Sequence, residues 1–119
     1  SASPGERLIR RGDRGETMFF IISGTVEVVV GKNKIPLGPG ELFGEMALLT
    51  HSRRAADVTA IEYCRFLALD HSEFHHFTAK HPNVRAYIER LAAERAEKNR
   101  QQMQVEGNGG LAAAIVQGK

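Results

Sequence analysis

The sequence predicts a mainly β domain with helices gathered at its C-terminal end. Three observations lead there. Short apolar runs rich in β-branched and aromatic residues recur between Arg7 and Leu69, glycine or proline turns separate them, and the periodicity becomes helical from Asp70 onward. Seven of the 12 glycines fall between Gly12 and Gly44, where the turns of a short-stranded sheet belong. Strands at this spacing suit a sandwich, a jelly roll or a barrel. At 119 residues the chain has the length of a single domain with a single core.

Leu8-Ile9 is the first apolar run, and Met18 to Ile22 is the second, ended by Ser23-Gly24. Thr25 to Val30 follows, closed by Gly31-Lys32-Asn33, and then a short Ile35-Pro36-Leu37 closed by Gly38-Pro39-Gly40. Glu45 to Leu49 consists of good helix formers and predicts one or two helical turns inserted between strands. Val58 to Ile61 and Cys64 to Leu69 resume the strand signal. Asp70 or Ser72 can cap a helix carrying Phe74 and Phe77, and Pro82 can open a longer one. Along that helix Val84, Ile88 and Leu91 recur at helical spacing, and the stripe then reaches Arg95, a charge where an apolar face would continue. Val105 to Gly110 reads as the end of the helix. The expected organisation is a domain over 1–104, with strands over about 5–69 and helices over about 70–104, and a flexible tail over 105–119.

Bulk composition excludes more than it assigns. Sixteen Lys and Arg against 14 Asp and Glu, with the basic residues scattered apart from Arg10-Arg11 and Arg53-Arg54, argue against a nucleic-acid surface. No apolar run approaches the ~18 residues of a membrane span. The single cysteine, Cys64, lies in an apolar strand and is expected to be a buried thiol; it rules out an internal disulfide and suits a reducing compartment. The start at Ser1, without an initiator methionine or signal sequence, reads as a piece of a longer chain.

Chemistry concentrates in Gly40 to Ala60. A glycine ahead of a short helix lets a ligand approach the backbone, and the free N–H groups of the first helical turn are anion donors. An arginine returning nearby adds a bidentate, charge-assisted pair of hydrogen bonds to a phosphate. Gly44, the turn after it and Arg54 supply these parts. Glu45 inside such a cradle would repel a phosphate unless it faces another group, and a sugar hydroxyl is the natural partner. Small residues at Ala47, Ala55 and Ala56 keep the wall open.

This segment resembles the phosphate-binding cassette of the cyclic nucleotide-binding domain family. The family's pattern of Phe-Gly-Glu-x-Ala-Leu, a short linker, Arg, a small residue, Ala and a strand ending in Ala is matched without a gap over residues 43–60. Gly12 to Gly24 looks like the family's first glycine-bounded hairpin, and the resemblance covers roughly Pro4 to Gln104. It implies a β jelly roll with the cassette helix inserted and a C-terminal helix acting as a lid. It also implies that Gly44 and Glu45 bind the ribose 2′-hydroxyl, that Arg54 pairs with the cyclic phosphate, and that the N–H groups of Ala47 and Ala55 complete the phosphate shell. Met46, the cassette's variable residue, is counted with them. Arg95 stands where an arginine of the similar bacterial cyclic nucleotide-gated potassium channels covers the purine. Gly12, Gly15 and Gly24 are read as turn residues, and Arg53 as a solvated neighbour of Arg54.

In the family a Ser or Thr after the cassette arginine can bond a syn guanine; Ala55 cannot, so the resemblance favours cAMP over cGMP. The expected protein is a sensor without catalytic residues, cofactor or metal site, whose ligand is a cyclic nucleotide. The effector expected from the resemblance is a bacterial cation or potassium channel, which would make the parent a membrane homo-oligomer and this domain a cytoplasmic one, held at the inner face of the membrane without entering it. A different transporter, a signalling protein or a piece of a transcription regulator is the alternative. An enzyme on a similar barrel would need a metal triad or a general base, and the strand region holds one histidine, His51. His71 and His75 are four apart on a predicted helix, a spacing that can hold zinc, but no third ligand joins them in sequence, so they read as a solvated helix face.

Overall fold

The computed structural model describes residues 1–107. Strands β1 (Arg7–Ile9), β2 (Thr17–Ser23), β3 (Val26–Val30), β4 (Asn33–Leu37) and β5 (Leu42–Phe43) precede helix α1 (Glu45–Thr50). Strands β6 (Asp57–Ala60) and β7 (Arg65–Asp70) and helices α2 (His71–Lys80) and α3 (Pro82–Gly107) follow. A four-stranded sheet in the order β1-β6-β3-β4 and a three-stranded sheet in the order β5-β2-β7 carry the strands, every pairing antiparallel. This is the expected jelly-roll-like architecture, with helices after the sheets.

The apolar runs form strands because both sheets bury one face against a shared core of Ile9, Ile21, Val26, Leu37, Phe43, Val58, Ala60 and Cys64. In β2, Phe19 and Ile21 point into this core. Met18 points the other way and is still buried, because α1, α2 and α3 cover it with Leu48, Phe74 and Ile88. The helices bury the second face of β2 at Met18, which accounts for an apolar residue there out of step with the core-facing Phe19 and Ile21. Phe20 and Ile22, beyond the helices, are exposed.

Three local differences from the sequence reading have physical causes. β4 begins at Asn33 and contains Pro36, which the sheet tolerates because β4 lies at its edge. β5, two residues long, carries no periodic signal and exists through its pairing of Leu42 and Phe43 with Phe20 and Phe19. α3 extends to Gly107, past Gln104; the rest of the expected tail, 108–119, lies outside the described residues. Asp70, one of two expected caps, is the one used: its carboxylate accepts from the Glu73 N–H at 2.8 Å, and the Glu73 carboxylate accepts from the Asp70 N–H at 2.9 Å. Gly24, at φ +88°, turns β2 into β3 against the carbonyl of Tyr63; a Cβ there would lie 2.3 Å from that oxygen.

Candidate functional site

The cassette is set in place by aromatic packing. Phe43 stacks on Phe19 at 5.0 Å between ring centroids, and Phe66 meets both edge-on at 5.7 and 5.8 Å. Such pairs add about 0.5–1.5 kcal/mol each beyond burial, and they pin the residue immediately before Gly44. Gly44 then takes φ 84° as the N-cap of α1, with no side chain capping the helix, so the first-turn N–H groups are directed at the space in front of them. A Cβ on Gly44 would lie 2.8 Å from the Thr17 carbonyl and 2.9 Å from an Arg54 nitrogen, which explains why no side chain stands there.

Gly44, Glu45, Met46, Ala47, Arg54, Ala55 and Arg95 all line one cleft between the four-stranded sheet, α1 and α3. Its floor is apolar, from Val28 and Val30 of β3, Ile35 and Leu37 of β4 and Val58 of β6, so it offers a hydrophobic surface for a flat ring beside a cationic rim. Arg54 is half-buried and held across the chain: Nη1 donates to the Gly44 carbonyl at 3.2 Å and Nη2 to the Thr17 carbonyl at 2.9 Å. Burial draws its guanidinium below its ordinary value, and the Glu45 carboxylate pushes it back up. It remains charged, as arginine does in proteins.

Glu45 is buried, its side chain 3% exposed. Arg95 reaches it from α3, donating from Nη1 to Glu45 Oε1 at 2.6 Å and to the Leu42 carbonyl at 2.8 Å. Helix α3 and the start of α1 are therefore joined by a charge-assisted hydrogen bond spanning 50 positions of sequence. Behind it, Leu48 of α1, Phe74 of α2 and Ile88 of α3 pack with Met18 and Leu42, so the helices and the cassette share a second core.

Sequence reasoning missed three residues. Asn99, one turn beyond Arg95, lines the cleft, a position the helical stripe through Arg95 could have suggested. Arg53, expected to be merely solvated, is exposed but also lines the cleft, with Nη1 donating to the Gly12 carbonyl at 2.9 Å. Gly15, expected to serve a turn, shows no positive φ; a Cβ there would come within 2.4 Å of the Arg54 guanidinium, so its role is to leave room for that group. Gly12 and Gly24, at φ +90° and +88°, do serve turns.

Away from the cleft, His71 and His75 meet with their Nε2 atoms 3.1 Å apart, and His51 packs on His71. Partial desolvation and then the charges of His71, Arg85 and His51 hold the His75 ring below its ordinary value. Among the described residues no group of three or more His, Cys, Asp or Glu is arranged to hold a metal ion. Among them, too, no helix is long and apolar enough to cross a membrane.

A family model described as the cyclic nucleotide-binding domain matches residues 1–81. The chain is 38% identical over 96 residues to the potassium/sodium hyperpolarization-activated cyclic nucleotide-gated channel 2 of Mus musculus and of Homo sapiens, a stretch covering 80% of this chain and 11% of the channel. The chain thus spans about a tenth of the length of these relatives. The crystal structure of the catabolite activator protein of Thermus thermophilus superposes with a TM-score of 0.73 at 28% identity, covering 89% of this chain and 53% of that one. A structure described under a cyclic-GMP-dependent signalling pathway that regulates bacterial phytopathogenesis superposes at 0.72 with 31% identity, covering 82% and 81%. A second regulatory-subunit domain of protein kinase A bound to Sp-2Cl-cAMPS superposes at 0.70 with 26% identity, covering 89% and 68%.

Proposed function

The chain belongs to the cyclic nucleotide-binding domain family, and we propose that it is a non-catalytic sensor of cAMP. The observation that carries this reading is the convergence on one cleft of the helix N-terminus at Gly44, the Arg54 guanidinium and the buried Glu45 carboxylate, above an apolar floor. A 3′,5′-cyclic nucleotide is a monoanion on a sugar on a flat base. The first-turn N–H groups and Arg54 suit the phosphate, Glu45 suits a sugar hydroxyl, and the valine and isoleucine floor suits the base.

Ala55 next to Arg54 supports cAMP over cGMP, since a methyl group offers no hydrogen bond to a guanine held over it. The neighbour described under cyclic-GMP signalling makes the alternative concrete, and direct competition decides it. Occupancy is transmitted through α3, which shares the second core with the cassette helix. The bound state shifts the population of α3 positions by its differential affinity for them, with no bond made or broken. The similarity to cyclic nucleotide-gated channels supports a membrane channel as the effector and a cytoplasmic place for the domain. Similarity to a catabolite activator and a kinase regulatory subunit keeps a transcription or signalling protein as the second reading.

Titration calorimetry of the chain with cAMP, cGMP and 5′-AMP tests this. Binding of cAMP, tighter than cGMP and far tighter than 5′-AMP, with no AMP formed on incubation, is the expected result. Tighter cGMP binding overturns the preference, and binding of neither cyclic nucleotide overturns the reading. Arg54→Ala removes a charge-assisted contact worth about 1.5–3 kcal/mol and weakens cAMP at least about tenfold.

A further inference from the structure

We infer that Arg53 and Asp57 are positioning residues that act through Arg54: together they hold the segment that carries it in register with the turn after β1. The inference rests on the reading of the cleft as a cyclic nucleotide site and goes beyond it in assigning roles to two further side chains. Residues 51–56 run between α1 and β6 without helix or strand, so no regular element places Arg54 and Ala55. The turn after β1 does so instead, itself closed by the Asp13 N–H donating to the Arg10 carbonyl at 3.1 Å. Gly12 donates its N–H to the Arg54 carbonyl, and the Arg54 N–H donates to the Asp13 carbonyl, both at 2.8 Å. Two side chains bracket that pair. Immediately before Arg54, Arg53 Nη1 donates to the Gly12 carbonyl at 2.9 Å; beyond Ala56, Asp57 Oδ1 accepts from the Arg11 N–H at 2.8 Å.

A guanidinium pairs with a phosphate bidentately and directionally, so its position decides what it contributes. The Arg54 guanidinium reaches the Thr17 and Gly44 carbonyls at 2.9 and 3.2 Å and lies against Gly15, contacts that require its main chain to stay where the turn holds it. Gly15 and Thr17 follow Gly12 and Asp13 along the same stretch, so the turn that fixes the Arg54 backbone leads directly to the carbonyl that fixes its side chain. Releasing Arg53 or Asp57 detaches one side of the bracket, and the segment gains freedom that ligand binding then has to remove. The two side chains have opposite charges, which separates this role from a purely electrostatic one. Acting by charge alone, Arg53 favours an anionic ligand and Asp57 opposes it; acting by position, both favour it.

The test is calorimetry of the whole chain with cAMP and cGMP, each variant measured below its melting transition. Arg53→Ala and Asp57→Ala are each expected to weaken cAMP by about three- to tenfold, as for one lost hydrogen bond of a charged group. The cGMP to cAMP ratio moves by less than about twofold, because both ligands carry the same phosphate. Asp57→Asn keeps an oxygen acceptor for the Arg11 N–H while discarding the charge, and recovers most of the affinity that Asp57→Ala loses. In an Arg54→Ala background, Arg53→Ala adds less than about twofold further loss, because no guanidinium is left to position. Arg53 is exposed, and this last comparison carries the test if Asp57→Ala does not fold. Tighter cAMP binding by Asp57→Ala, or a loss from Arg53→Ala that persists in full without Arg54, overturns the inference in favour of charge alone. Unchanged affinity in both alanine variants, or an Asp57→Asn as weak as Asp57→Ala, also overturns it, and each of these results leaves the site reading standing. A wild type that binds neither nucleotide overturns the site reading and the inference with it.

Discussion

Gly15→Ala moves Arg54 without altering any residue placed at the ligand. The added Cβ would lie 2.4 Å from both Nε and Nη2 of Arg54 and 2.6 Å from its central carbon, so the guanidinium has to leave. The obstruction is the far end of a flexible side chain, and the backbone at Gly15 shows no positive φ, so the fold accommodates the methyl. Displacement loses the bonds to the Gly44 and Thr17 carbonyls, about 1 kcal/mol each for a half-exposed group. Alanine returns about 0.4–1 kcal/mol by restricting the unfolded chain. The net cost is about 1–1.5 kcal/mol, a melting-temperature fall of roughly 5–10 °C for a domain of this size. Affinity responds differently: with the guanidinium displaced the phosphate loses its charge-assisted pair, about 1.5–3 kcal/mol or roughly 10- to 150-fold in Kd. Scanning fluorimetry without ligand and calorimetry with cAMP separate the two effects. A Gly15→Ala variant that binds within about twofold of the wild type while Arg54→Ala is crippled would refute the reasoning, because Arg54 would then find the phosphate from a displaced position.

Three further substitutions probe the scaffold and its response to pH. Gly24→Ala meets the Tyr63 carbonyl at 2.3 Å and forces alanine to φ +88°, so urea denaturation should show a loss of at least about 2 kcal/mol. Asp70→Ala removes the reciprocal cap with Glu73 and should cost about 0.5–2 kcal/mol by the same measurement, with cAMP affinity of the folded protein little changed. His75, held below its ordinary value of 6.5, favours the folded state only while neutral, so its contribution is present at higher pH and declines as pH falls through that value. Melting temperatures compared from about pH 5 to about pH 7.5 should show the wild type losing more on acidification than His75→Gln, and parallel curves would discard the assignment.

The parts of the site that could be read from the sequence are those whose chemistry is contiguous. Phe43 to Ala47 and Arg54 to Ala55 sit within one short stretch, and the backbone of a turn followed by a helix places them regardless of what the rest of the chain does. The Asp70 cap was legible for the same reason, since its partner Glu73 is one helical turn away. What escaped was nonlocal. The apolar stripe on α3 singled out Arg95 as a charge in an apolar place, but periodicity says which face a residue occupies and not what lies opposite; its partner is 50 positions earlier. Gly15 looked like a turn because glycine is the usual turn residue, whereas its use is to leave space for a side chain far along the chain. β5 exists only through pairing with β2, which a two-residue segment cannot announce.

The same division bears on how such a site would signal. The local elements, the first turn of α1 after Gly44 and the Arg54 guanidinium, supply the donors that a phosphate would need. Coupling occupancy to the rest of the protein requires that something outside the cassette depend on the cassette's position. In this structure α3 depends on it twice, through the shared packing of Leu48 against Phe74 and Ile88 and through the Arg95 bonds to Glu45 and Leu42. The apolar contact is nondirectional and tolerates small slides, whereas the two bonds from one nitrogen do not. A ligand that displaced Glu45 would therefore act on α3 through the Arg95 bonds as well as through the packing. It follows that Arg95 variants should lose transmission to an attached effector by more than their loss of affinity accounts for, a separation visible as a reduced maximal response at saturating nucleotide.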